Sequence, residues 1–215
     1  MTITAKICGL KDPEAIEAAV SGGAKYIGLN FFPPSPRAVT PARAADLAGL
    51  IPDHVQKVGL FVDPDDGLLA EVMNRVALDL IQLHGNENPE RVAAIKAATG
   101  LPVLKAIKVE TAADLDGARD FDGVADMLLF DAKAPKDMAN ALPGGNGLVF
   151  DWNLLAGRRW QRPWMLSGGL EPGNVAQAVT IAGARMVDVS SGVETSPGEK
   201  DPAAIKAFLD AVKAL

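Results

Sequence analysis

The sequence predicts an α/β protein of the closed (β/α)8 class, a TIM barrel, in a single domain over residues 1–215. Three observations predict it. Eight short β-like runs recur along the chain, helical stretches rich in Ala, Leu, Glu and Arg lie between most of them, and no linker or low-complexity tract breaks the alternation. Strands alternating with helices at this spacing are parallel and joined by crossovers, and eight such units suggest closure; an open doubly wound sheet is the competing architecture.

The β-like runs are Ile3–Cys8, Tyr26–Asn30, Lys57–Val62, Leu80–His84, Val103–Ile107, Met127–Asp131, Trp164–Ser167 and Met186–Ser190. Helix starts are marked by their chemistry. Asp12-Pro13-Glu14 reads as an N-cap, a proline where its missing N–H costs nothing, and an acid in the first turn. Thr40-Pro41, Asn88-Pro89-Glu90 and Asp201-Pro202 share this form, while Gly22-Gly23 and Gly100 are suited to ending helices. The longest irregular stretch is Ala132 to Leu148, which contains Gly144-Gly145-Asn146-Gly147; a loop that long in so short a barrel is more often functional than idle.

Composition narrows the function. A formal net charge of -6 argues against a nucleic-acid partner, which requires a basic stripe, but not against an anionic substrate held by backbone amides. No apolar run is long enough for a membrane span. Cys8 is the one cysteine, so no intrachain disulfide forms; with a strand pattern beginning at the amino terminus and no leader-like segment before it, the expected location is cytoplasmic. Two histidines, one cysteine and no HExxH give no metal site, and the lack of a P-loop, a GxGxxG after a strand or a GxSxG elbow gives no expectation of a cofactor.

Side chains alternate between strand faces, and the apolar face of each strand should meet the helices. This sends Lys6, Cys8, Asn30, Gln82, His84, Lys105, Asp131, Asp188 and Ser190 into the barrel, with Leu104 and Ala106 outside. An inert barrel interior is filled with Val, Ile and Leu, and each polar group buried unpaired costs about 1–3 kcal/mol. Most of these polar residues fall at carboxyl ends of strands, where barrel active sites lie.

The predicted phosphate end is formed by Ser167-Gly168-Gly169-Leu170 after the seventh strand and Ser190-Ser191-Gly192-Val193 after the eighth, with Gly145 as a further contributor. Glycines let amides approach an anion, and barrels often bind phosphate with these two loops. Cys8 is a candidate proton acceptor, or else a small buried hydrophobe. Asp131, across the barrel, is a candidate proton donor, or else a carboxylate paired with Lys133 or another buried cation. Arg37, in the proline-stiffened loop after the second strand, is either a bidentate clamp for a carboxylate or a solvated surface residue. His84 either bonds substrate or is a satisfied core histidine; Asp188 faces the same interior, and His54 reads as surface.

The segments Lys6-Ile7-Cys8-Gly9, Gly28-Leu29-Asn30-Phe31 with Ser35-Pro36-Arg37, Gln82-Leu83-His84-Gly85, Phe130-Asp131, Ser167-Gly168-Gly169-Leu170 and Asp188-Val189-Ser190-Ser191-Gly192-Val193-Glu194 follow in order across nearly the whole chain. In them the chain resembles the phosphoribosylanthranilate isomerase family, barrel enzymes of tryptophan biosynthesis. The resemblance implies an Amadori rearrangement of N-(5-phosphoribosyl)anthranilate to 1-(2-carboxyphenylamino)-1-deoxyribulose 5-phosphate. Cys8 would then be the general base at sugar C2, Asp131 the general acid at the ring oxygen and Arg37 the holder of the anthranilate carboxylate; His84 and Asp188 are candidate substrate contacts from their inward positions alone. The loops at Gly168-Gly169 and Ser190-Ser191-Gly192 would hold the phosphate. The alternatives are another phosphosugar isomerase, such as the related enzyme of histidine biosynthesis with aspartate where this chain has Cys8, and a barrel that only binds a phosphometabolite. Monomer and homodimer both remain open.

Overall fold

The computed structural model describes residues 2–135 and 142–215, so part of the Ala132–Leu148 loop, residues 136–141, lies outside the described residues. Eight strands form a closed parallel barrel in sequence order: β1 (Thr4–Cys8), β2 (Tyr26–Asn30), β3 (Gln56–Phe61), β4 (Leu80–Leu83), β5 (Val103–Val109), β6 (Met127–Ala132), β7 (Trp164–Leu166) and β8 (Met186–Val189). Closure comes from β8 pairing with β1, with Lys6 opposite Asp188. Every predicted strand is present, with ends displaced by no more than two residues.

The outer helices are α1 (Pro13–Ser21), α2 (Pro41–Ala48), α3 (Asp66–Arg75), α4 (Pro89–Thr99), the short α5 (Ala112–Asp116), α6 (Val175–Ala182) and α7 (Pro202–Lys213). The expected caps form: Asp12 accepts a hydrogen bond from the Ala15 N–H at 2.8 Å, Asn88 from Arg91 at 2.8 Å and Asp201 from Ala203 at 2.8 Å. Between β6 and β7 the described residues form a single 3-10 turn, Trp152–Leu154, in place of an α-helix. A small antiparallel hairpin, β9 (Glu194–Ser196) and β10 (Glu199–Lys200), sits between β8 and α7. Among the described residues no helix is long and apolar enough to cross a membrane.

Two apolar layers position the site. The larger one lies between strands and helices and includes Ile7, Ile27, Leu29, Phe61, Phe130 and Val187. The smaller one plugs the barrel itself: Val58, Leu80, Leu104, Ala106, Leu129 and Met165. With the interior filled from below, the polar groups gather above the plug at the carboxyl ends of the strands.

The plug also corrects the reading of the fifth strand. Leu104 and Ala106 point inward, so Lys105 points outward, in register with Leu83 and Leu128 on the helix-facing side. Its ammonium lies 5.6 Å from the centre of the Phe121 ring and reaches Glu87 Oε2 at 2.7 Å and the Gly85 carbonyl at 3.0 Å. A helix-facing strand position is ordinarily apolar, and Glu87, remote in sequence, is what makes a lysine tolerable there.

Candidate active site

The mouth of the barrel opens into a cavity. Its wall takes Cys8 from β1, Asn30 from β2, His84 after β4, Asp131 from β6, Ser167 after β7 and Asp188 from β8. The predicted thiol and carboxyl therefore open onto one chamber.

On the β1 side, Lys6 is fully buried and its Nζ lies 2.8 Å from Asp188 Oδ1, while Asp188 Oδ2 accepts from Ser167 Oγ at 3.2 Å. Burial works to lower the Lys6 pKa, but the charges of Asp188 and Cys8 outweigh it and hold it above the ordinary lysine value. Burial pushes the Cys8 thiol up; Lys6 pulls it back and Asp188 pushes it further, so it stays above the ordinary thiol value. Glycine at position 28 makes the arrangement possible. A Cβ there would fall 2.8 Å from Cys8 Sγ and 3.2 Å from Lys6 Nζ. Asp188, expected to touch substrate, lines the cavity but spends both oxygens on protein partners.

On the β6 side, Asp131 Oδ1 accepts from the Ala132 N–H at 2.9 Å, and Oδ2 lies 3.0 Å from His84 Nε2. His84 Nδ1 in turn lies 3.0 Å from Gln82 Nε2. In this orientation the amide donates to Nδ1, so a neutral ring carries its proton on Nε2 and donates to Asp131. Turning the Gln82 amide by half a rotation reverses the chain. Its Oε1, which has no partner among the described residues, then accepts from Nδ1–H, and Nε2 accepts from a protonated Asp131. One set of positions thus serves both protonation states of the acid. Lys133, the alternative partner for Asp131, instead pairs with Asp114 at 2.9 Å. Gly144 lies directly over the pair, where a Cβ would strike both Asp131 and His84.

Arg37 is buried rather than solvated, and it also lines the cavity. Its Nε donates to Glu194 Oε1 at 2.7 Å and its Nη2 to Glu194 Oε2 at 2.8 Å and to the Gly145 carbonyl at 3.1 Å. The bidentate geometry expected of Arg37 is present, but the carboxylate it grips is the chain's own.

At the β7–β8 end, Gly168 and Gly169 both have positive φ, 87° and 61°, which turns the loop tightly over the strand. Asn174 fixes that loop by donating to the Gly169 carbonyl and accepting from the Glu171 N–H, each at 2.9 Å. Ser190 and Ser191 line the cavity beside them. The backbone N–H groups of Gly169 and Ser191 have no hydrogen-bond partner among the described residues. Gly192 does not reach the cavity wall; it passes against the Leu170 carbonyl, where a side chain would collide with backbone. Gly145 lies against Arg37 rather than beside the serines, and Gly147 is the one that approaches Ser191.

Sequence reasoning missed Glu194 and Lys200 as contributors. Lys200 Nζ donates to Glu194 Oε1 at 2.7 Å and to the Ser190 carbonyl at 2.9 Å, behind the Ser190-Ser191 loop. The available signal was the Glu194–Lys200 segment itself, with Pro197-Gly198 at its turn, placed where the last helix could have begun directly. Among the described residues no group of three or more His, Cys, Asp or Glu is arranged to hold a metal.

A closed eight-stranded parallel barrel, with thiol, carboxyl and guanidinium groups at its carboxyl-end mouth, defines a (β/α)8-barrel enzyme. Residues 5–211 match the family described as N-(5'-phosphoribosyl)anthranilate (PRA) isomerase, and the chain belongs to that family. The N-(5'-phosphoribosyl)anthranilate isomerase of Rhodospirillum centenum is 61% identical over 215 residues, 100% of each chain. The crystal structure of phosphoribosyl anthranilate isomerase from Thermotoga maritima is similar with a TM-score of 0.88 at 35% identity, covering 100% of both chains. A crystal structure of such an isomerase in complex with reduced 1-(o-carboxyphenylamino)-1-deoxyribulose 5-phosphate is similar with a TM-score of 0.85 at 33% identity, again over 100% of both chains.

Proposed function

We propose that the chain performs the isomerisation for which its family is named, in tryptophan biosynthesis, with Cys8 as base and Asp131 as acid. The observation that carries the reading is the opening of β1's thiol and β6's carboxyl onto one cavity whose β7–β8 rim offers unpartnered amides. In the reaction, N-(5'-phosphoribosyl)anthranilate opens its furanose as Asp131 gives a proton to the ring oxygen, leaving a C1 iminium. Cys8, as thiolate, then takes the C2 proton to give the enolamine and returns it to C1, while the C2 hydroxyl loses its proton to the Asp131 carboxylate, which leaves the 2-ketone and restores both groups. The iminium charge favours thiolate next to it, which offsets the burial that keeps the resting Cys8 protonated. Arg37 faces the anthranilate carboxylate, His84 holds Asp131 in place, and Asp188 acts through Lys6 and Ser167. The phosphate sits on the loops at Gly168-Gly169 and Ser190-Ser191, with Gly192 shaping the second loop from behind. No step needs a cofactor, and every group comes from one chain, so a monomer and a homodimer work alike. The unpaired Cys8 thiol suits the reducing cytoplasm.

The test is consumption of fluorescent phosphoribosylanthranilate by purified variants. Cys8→Ser and Asp131→Asn should each slow turnover by roughly 10²-fold or more with the unfolding curve retained. Near-normal turnover in either variant removes that residue from the mechanism.

A further inference from the structure

Outside the proton-transfer groups, the largest buried charge cluster near the cavity is Arg37, Glu194 and Lys200. All three side chains are buried: Arg37 and Glu194 are 6% and 4% exposed, and Lys200 is fully covered. Two cations share one carboxylate. Burial works to raise the Glu194 carboxyl, but hydrogen bonds from Arg37 and Lys200 and their charges hold it below the ordinary range, so it remains an anion. The barrel itself does not need this cluster, since β8 already closes on β1. Its carrier is the β9–β10 hairpin, which docks on the loop of Arg37. A Cβ at Gly198 would strike the Pro36 carbonyl, and the Gly198 N–H donates to Glu194 Oε2 at 3.2 Å.

The division of Arg37's nitrogens is informative. Nε and Nη2 both bond Glu194, and Nη2 also bonds the Gly145 carbonyl. Nη1 makes no hydrogen bond among the described residues, and it belongs to a residue on the cavity wall. A guanidinium is planar, so fixing two of its nitrogens fixes the third. We propose that Glu194 is a positioning residue for substrate recognition: from the β9–β10 hairpin it orients the Arg37 guanidinium so that the Nη1 edge, beside Gly145, meets the ring carboxylate of the substrate. Lys200 acts as its counter-cation, and its separate bond to the Ser190 carbonyl does not depend on Glu194. The assignment rests on the reading of Arg37 as the carboxylate contact, and it makes the hairpin a specificity device rather than a connection.

Calorimetric titration with two ligands tests it: reduced 1-(o-carboxyphenylamino)-1-deoxyribulose 5-phosphate, and its anilino counterpart lacking the ring carboxylate. The protein should prefer the carboxylated ligand by roughly 10- to 100-fold, the range of one charge-assisted contact. Glu194→Gln should remove most of that preference while affinity for the anilino ligand stays within about threefold, and KM should rise with kcat little changed. Arg37→Ala should remove the preference as well. If Arg37→Ala removes it and Glu194→Gln does not, the positioning role is wrong while the Arg37 contact stands. Equal weakening of both ligands by Glu194→Gln means the residue only supports the fold, which also overturns the proposal. If Arg37→Ala leaves the preference intact, the Arg37 contact itself fails and Glu194's role fails with it. Should Glu194→Gln not fold, Glu194→Asp keeps the charge but withdraws it by one methylene, and the same loss of preference is expected.

Discussion

Two lysines of this chain are buried against carboxylates at nearly the same distance, on opposite sides of one wall. Lys6 lies inside the barrel, 2.8 Å from Asp188, and Lys105 lies between the barrel and its helices, 2.7 Å from Glu87. The first pair adjoins the thiol of Cys8, and its carboxylate lines the cavity. The second pair lies away from the cavity and is embedded in backbone: Glu87 accepts from the N–H groups of Asp63 and Gly85, and Lys105 donates to the Gly85 carbonyl. The same ion pair thus does two jobs. Inside, it sets the electrostatics at the Cys8 sulfur; outside, it pins the loop that follows β4 and carries His84. A buried pair is weak evidence for net stability, yet breaking one leaves a charge stranded.

The largest expected effect therefore belongs to the outer pair. Glu87→Ala strands the Lys105 ammonium and two backbone donors, and should destabilise the fold by about 3–5 kcal/mol, read from the urea midpoint. Activity per folded molecule should fall by less than about tenfold, far short of the loss in Cys8→Ser. A variant of unchanged stability but collapsed turnover would reverse the roles assigned to the two pairs.

The inner pair should answer through chemistry. Asp188 pushes the Cys8 thiol up, so Asp188→Asn should bring its titration down and make alkylation by iodoacetamide several-fold faster at neutral pH. Lys6 then has no competing carboxylate and acts on the sulfur alone. Glu87→Gln should leave the alkylation profile where it was. If both variants shift it alike, the effect is a general loosening of the barrel and not a charge acting on a thiol.

The contrast also marks what was legible in the sequence. The strand-helix alternation and the Asp-Pro and Asn-Pro helix starts are local signals, and the structure follows them closely. The polar residues at strand ends were readable because alternation is strict: Lys6, Cys8, Gln82, His84, Asp131 and Asp188 all turn inward. Lys105 failed by the same rule, because hydrophobicity alone chose the face of β5, and the interior plug needed Leu104 and Ala106. Nothing near Lys105 in sequence announces Glu87 as its partner. Arg37 was legible only in part, for a related reason. Its loop predicted a held guanidinium, but the holder, Glu194, comes from the far end of the chain. Periodicity carries the fold and the candidate reacting groups; pairings across the barrel appear only with the tertiary structure.

The smallest effect separates the outer pair by pH. Burial raises the Glu87 carboxyl, but Lys105 and the backbone donors outweigh it and hold it below the ordinary value of 4.5. Above that value the carboxyl is ionised in the folded and unfolded chains alike, and the full stabilisation is present. As pH falls below it, the unfolded chain binds the proton first, and the contribution drains away until the folded carboxyl is protonated too. One such group changes stability by at most about 1.4 kcal/mol per pH unit. Asp114, held down to about 2, and Glu194 and Asp126, also held low by partners, contribute to the acid slope as well, so it persists in a Glu87 variant. Urea unfolding between neutral pH and mild acid should therefore show wild type above Glu87→Gln, with a gap that is constant down to the ordinary carboxyl range and narrows below it. A gap that stays constant into acid would mean that Glu87 acts in the outer pair by shape and hydrogen bonding, with its charge making no difference.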